Sequence, residues 1–141
     1  MGRRPFDPWR EIHDRGDADL ALAFGQLFWP VFVERDGCVL IEHRAVDGAI
    51  EDALERAEGD LRRVEELLNR VSLRHEMPFE DSEVEDATFM EVGRIMQRSW
   101  MAALAEQFPG RQFVVELLDS EDDWHGPTLY LTSAPPSGPP V

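Results

Sequence analysis

SEVEDATFMEVGRIMQRSWMAALAEQFPGRQFVVELLD, residues 82–119, holds the pattern that decides the fold. Ser82 and Glu85 have the S-x-x-E spacing of a capping box, in which each side chain satisfies a backbone N–H at a helix start. Glu83, Glu85 and Asp86 suit the positive end of the helix dipole. Phe89, Gly93, Met96, Trp100 and Ala103 then recur every three or four residues, with Val92, Ile95 and Leu104 alongside, which predicts the core stripe of a long helix. Gly93, lacking a Cβ, lets a neighbouring element come close. Glu91, Arg94 and Arg98 fall on the opposite stripe. Pro109-Gly110 ends the helix. QFVVELL then switches to period two, with Phe113, Val115 and Leu117 on one face of a strand and Val114, Glu116 and Leu118 on the other.

Working outward, PTLYLT reads as a second strand, joined to the first by the acidic connection DSEDDWHG. Toward the N-terminus, DADLALAFGQLF follows a capping Asp17 and has apolar residues on more than one face, which predicts a deeply packed helix ended by Pro30. VFVERDGCVLIE holds two apolar runs around Asp36-Gly37, a hairpin signal. A helical turn through residues 31–34 stopped by Gly37 competes with it, and CVLI is the firmer strand. Asp47 to Gly59 brackets a short helix with Ile50, Ala53, Leu54 and Ala57 inward. Asp60 caps another, with Leu61, Val64, Leu67, Leu68 and Val71 on one face. The expected fold is α+β: a small antiparallel sheet containing CVLI, QFVVELL and PTLYLT, with helices packed on one face, including one long helix in the C-terminal half. Residues 1–133 form one domain, and the Pro-rich tail 134–141 is expected to be extended or disordered.

Charge limits the partners. The chain has 29 acids against 14 bases, a formal net charge of −15, and every base is arginine. The acids concentrate in residues 47–91 and 116–125, while 92–115 carry Arg94, Arg98 and Arg111 against Glu106 alone. Such a field repels nucleic acid and anionic lipid and speeds encounter with a basic protein. Without lysine there is no Schiff-base amine and no phosphate-loop lysine. No apolar run is long enough to span a membrane, the N-terminus does not read as a secretory signal, and a single cysteine suits the cytoplasm. Cys38, inside CVLI, reads as a buried small residue.

Catalytic patterns are weak. His13, His43, His75 and His125 are scattered, with no metal-ligand spacing among them, so no metal and no cofactor is expected. Glu116 is the one carboxylate whose strand position could make it a base, with His43 or His125 beside it. The working surface expected instead is acidic. Glu80, Asp81, Glu83, Glu85 and Asp86 form one block, and Asp119, Glu121, Asp122 and Asp123 form another beside Trp124, an aromatic anchor with an electrostatic guide. Trp9 is a second exposed-aromatic candidate. Trp29 and Trp100 are assigned to the core.

Phe28, Trp29, Pro30, Phe32, Gly37 and Cys38 carry an F-W-P-x-F-x-x-x-x-G-C pattern. Trp100, Leu104, Phe108, Pro109, Arg111 and Phe113 carry W-x-x-x-L-x-x-x-F-P-x-R-x-F, leading into Val114, Val115 and Glu116. Together they resemble a group of small, uncharacterised bacterial proteins. In size and acidity the chain is also similar to immunity proteins that neutralise bacterial toxins. That resemblance implies a cytoplasmic binding protein and not an enzyme, whose basic partner is a toxin occluded sterically and electrostatically. A structural or adaptor module of a bacterial assembly is the alternative, and a small enzyme using Glu116 with a histidine is a second.

Overall fold

The computed structural model describes residues 6–76, 86–119 and 126–134. The capping box at Ser82 and the tail beyond residue 134 lie outside them. In chain order the elements are α1 (Pro8–Arg15), α2 (Ala18–Phe28), β1 (Phe32–Arg35), β2 (Cys38–Ile41), α3 (Asp47–Arg56), α4 (Leu61–Leu68), β3 (Val71–Ser72), α5 (Leu73–Glu76), α6 (Asp86–Gln107), β4 (Phe113–Asp119) and β5 (Pro127–Ser133). The class is α+β, and α6 is the long helix.

Local turn chemistry sets the first ladder. Asp36 and Gly37 both take positive φ, 51° and 86°, which a two-residue hairpin turn requires and which Gly tolerates without strain. β1 and β2 therefore pair antiparallel, Phe32 opposite Ile41 and Arg35 opposite Cys38. Strand, not helix, is the state of residues 32–35. A second sheet has the order β3-β5-β4, all antiparallel.

β2 is buried at all four positions, because alternate residues serve two cores. Cys38 and Leu40 pack with Ile50, Ala53, Ala57 and Val64 of the α3–α4 region. Val39 and Ile41 pack with Met96, Trp100, Leu104, Leu129 and Leu131 around α6. Both faces of β2 are thus covered, one by α3 and α4 and the other by α6 and β5. A continuous apolar run is what such a doubly covered strand needs.

β2 was expected in one sheet with β4 and β5, but among the described residues it pairs only with β1. Two polar side chains of α4 and its C-cap join the ladders instead. Glu65 accepts from the Val39 N–H at 2.9 Å and from the Ser133 N–H at 2.8 Å. Asn69 accepts from the Ile41 N–H at 3.0 Å and donates to the carbonyls of Val39 at 2.8 Å and Leu131 at 3.3 Å. Both residues are buried. They close the free edge of β2 and the part of β5 that the short β3 leaves open, doing the work of a missing strand.

α6 lies across the second sheet. Phe89, Met96, Trp100, Ala103 and Leu104 are buried, whereas Ile95 is 55% exposed, on the solvent side of the expected stripe. The Trp100 indole N–H donates to Leu27 O at 3.0 Å and its ring meets Phe32 edge-on. Gln107 holds the start of β1, accepting from Phe32 N–H and donating to Pro30 O. At Gly93 an added Cβ would lie 2.7 Å from a Leu117 methyl, so glycine here does bring β4 close to the helix.

Candidate functional site

α1 and α2 are consecutive helices joined by Gly16 and Asp17, a hairpin in connection and not in close antiparallel packing, and the construction of each is local. The Asp7 carboxylate accepts from the N–H groups of Trp9 and Arg10, with Pro8 at the first helical position, where its missing donor is not needed. The Gly16 N–H closes α1 on Ile12 O at 2.8 Å. A Cβ on Gly16 would come within 2.5 Å of that same oxygen, so this tight link excludes a side chain. Asp17 then caps α2 through Leu20 N–H at 2.7 Å.

The hairpin departs most from expectation. No residue of α1 or α2 is buried. Only Leu27 and Phe28, in the last turn of α2, reach the core. Trp29 is not a core residue. It sits at the C-cap with a non-helical φ of −130°, which turns it outward. Phe6 and Trp9 are each 80% exposed, and Leu22 is 63% exposed. At about 200 Å² for an aromatic side chain, Phe6 and Trp9 together leave about 300 Å² of mainly apolar surface in water. Scattered exposed apolar residues are ordinary in monomers, and it is a contiguous patch larger than a few hundred Å² that marks a contact surface.

Between the helices runs a groove of about 660 Å³, floored by Ile12, Leu20, Ala21 and Phe24. Glu11 and Asp17 stand on its rim, with Arg15 held by Glu11 at 3.3 Å. Asp7, Glu11, Asp14, Asp17 and Asp19 outnumber Arg10 and Arg15 along residues 6–29. The surface can hold an apolar side chain or helix face and attracts one with basic flanks.

Of the acidic positions singled out by sequence, Glu80, Asp81, Glu83, Glu85, Glu121, Asp122, Asp123 and Trp124 lie outside the described residues. Asp86 opens α6. Asp119 closes β4 and is exposed. Trp9 is the candidate that the hairpin does contain. The exposure of Leu20, Leu22 and Phe24 in α2 was missed because helical periodicity marks an apolar face without saying what covers it.

Glu116 is exposed on the second face of the sheet, beside a small hollow lined by Arg62, Glu66, Leu118, Tyr130 and Thr132. His43 is not among those residues, and His125 lies outside the described ones. Among the described residues no group of three His, Cys, Asp or Glu side chains is placed to hold a metal ion, and no helix is long and apolar enough to cross a membrane. Cys38 is buried, with its thiol pushed up to about 11 by desolvation first and then by the nearby Glu65 and Asp36 charges. No protein-family model, curated protein or solved structure matches the chain.

Proposed function

We propose that this chain is an acidic binding protein of the cytoplasm, of the immunity type, which neutralises a basic bacterial toxin by occluding it. The observation that supports the reading best is the apolar α1–α2 hairpin, left exposed by the other described elements and rimmed by Glu11 and Asp17. A basic partner is drawn in by the net charge of −15 and held by apolar contact in the groove, the division of labour common to steered protein complexes. The acidic blocks at 80–86 and 119–123 extend the guiding field, and Trp124 adds an anchor. Nucleic acid and membranes are not partners in this reading, and no reaction is assigned.

The experiment is affinity capture from the source organism with the wild type and with the double variant Ile12→Ser, Leu20→Ser, both changes lying in the groove. Both positions are exposed, so the variant should unfold within about 0.5 kcal/mol of the wild type. A basic protein retained by the first and lost by the second is the expected result. Equal retention of every captured protein by both removes the hairpin from the binding surface.

A further inference from the structure

We propose that a second copy of this chain docks on the free edge of β4, extending the three-stranded sheet across a two-fold axis at Val115. This goes beyond the hairpin reading and does not rest on it.

The direction of the backbone groups follows from one bond. Gln112 O accepts from Ala134 N–H at 2.9 Å, and β4 pairs with β5 as Phe113 opposite Ser133 through Asp119 opposite Pro127. Antiparallel ladders alternate, so even-numbered residues of β4 exchange hydrogen bonds with β5 and odd-numbered ones point away. The N–H and C=O groups of Phe113, Val115, Leu117 and Asp119 therefore face the outer edge. Among the described residues, β5 is the one strand that pairs with β4. Among the described residues, one of those outward groups has a side-chain cap: Val115 O accepts from Gln97 at 2.6 Å. The contrast with β2 and β5, whose edges Glu65 and Asn69 close, is direct. FVVELLD has no proline, no lysine and no bulge in its ladder, three of the usual guards of an edge, and its charges are Glu116 and Asp119.

Charge and register select the occupant. With the axis at Val115, Val115 faces its own copy, Phe113 faces Leu117, and Glu116 faces Val114. Arg111 then stands opposite Asp119 of the second copy, twice over by symmetry. Moving the axis to Glu116 would instead set two Glu116 carboxylates directly opposite each other, which disfavours that register. Arg111 already reaches Glu34 at 2.7 Å, and its forked guanidinium has donors left for a second carboxylate. Beside the edge, Gln97, Arg98 and Met101 of α6 wall a groove with Phe113, Val114 and Val115. Pairing exchanges Gln97 for the Val115 N–H of the second copy at the Val115 carbonyl, so Gln97 is a competitor that tunes the association.

The test is sedimentation equilibrium of the full chain over a wide concentration range. Wild type should show a reversible monomer–dimer equilibrium. Asp119→Arg, at an exposed position, turns two attractive contacts into repulsive ones and should weaken dimerisation by about tenfold. Adding Arg111→Asp to that variant should recover much of the loss, whereas Arg111→Asp alone should not dimerise like wild type. Gln97→Ala, by freeing the carbonyl, should tighten the dimer. Trp9→Ser should leave it unchanged. A wild type that stays monomeric up to about 1 mM, an Asp119→Arg that dimerises like wild type, or a dimer abolished by Trp9→Ser would each overturn the proposal.

Discussion

Glu65 and Asn69 carry a structural burden that their type does not announce. Between them they bond to β2, β5 and the end of the second sheet from one side of α4. Both Glu65 oxygens act as acceptors, Oε1 from Ser133 N–H and Oε2 from Val39 N–H and the Ser133 hydroxyl. Glu65→Gln keeps the shape but must turn its NH2 toward one of those N–H groups, whichever way the amide is flipped. A loss of about 2 kcal/mol is expected in urea unfolding, since a buried donor is left without an acceptor. Asn69→Ala should cost more, about 3 kcal/mol, because it strands one donor and two acceptors. Cys38 permits a test of the opposite kind. Its raised thiol pKa means that the folded state holds the proton more firmly than the unfolded chain. The stability this contributes is complete below pH 9.0 and is lost as pH rises through about 11. At neutral pH, modification by a thiol reagent should proceed only through unfolding, and its rate should rise with denaturant in step with the unfolded fraction.

Gly93 and Gly25 separate two meanings of a glycine in a helix. Gly93 sits against Leu117 and Leu73, whereas nothing lies within 4 Å of a Cβ added at Gly25. Gly25→Ala in α2 should stabilise by about 0.5–1 kcal/mol through lost backbone entropy in the unfolded chain. Gly93→Ala has the same gain to offset against overpacking, typically 1–3 kcal/mol, and should come out destabilising. Thermal unfolding of the two variants beside the wild type gives the signs directly. Much of this was legible in the sequence. The α6 stripe, the closeness at Gly93, the Asp36-Gly37 hairpin and the alternation of β4 all depend on residues near one another in the chain. What stayed hidden depended on distant partners. Glu65 falls three and four residues from Leu68 and Leu61, inside an apolar stripe, which was a signal of inward placement that the stripe alone did not interpret. α2 erred the other way. Its apolar residues have the spacing of a core helix, yet α6 receives only the last turn, and periodicity cannot count the elements available to pack on it. The acidic candidates differ again, since of them the described residues hold only Asp86 and Asp119.

Two surfaces of unlike character remain on the whole molecule. The hairpin is apolar inside an acidic field, while the β4 edge lies beside Arg98 and directly follows Arg111 in the chain. A basic partner and a second copy therefore need not compete. The central claim is that long-range attraction brings a basic partner in and the α1–α2 groove holds it. Salt should then act on one rate constant and apolar substitution on the other. Once a partner has been captured, the decisive measurement is its binding kinetics against wild type and the Ile12→Ser, Leu20→Ser variant at several salt concentrations. For wild type, the association rate should fall about tenfold or more between roughly 0.05 and 0.5 M salt, as screening shortens the reach of surface charge. The variant should associate at nearly the wild-type rate and dissociate at least about tenfold faster. Association indifferent to salt, together with dissociation unchanged by the two serines, would contradict the account.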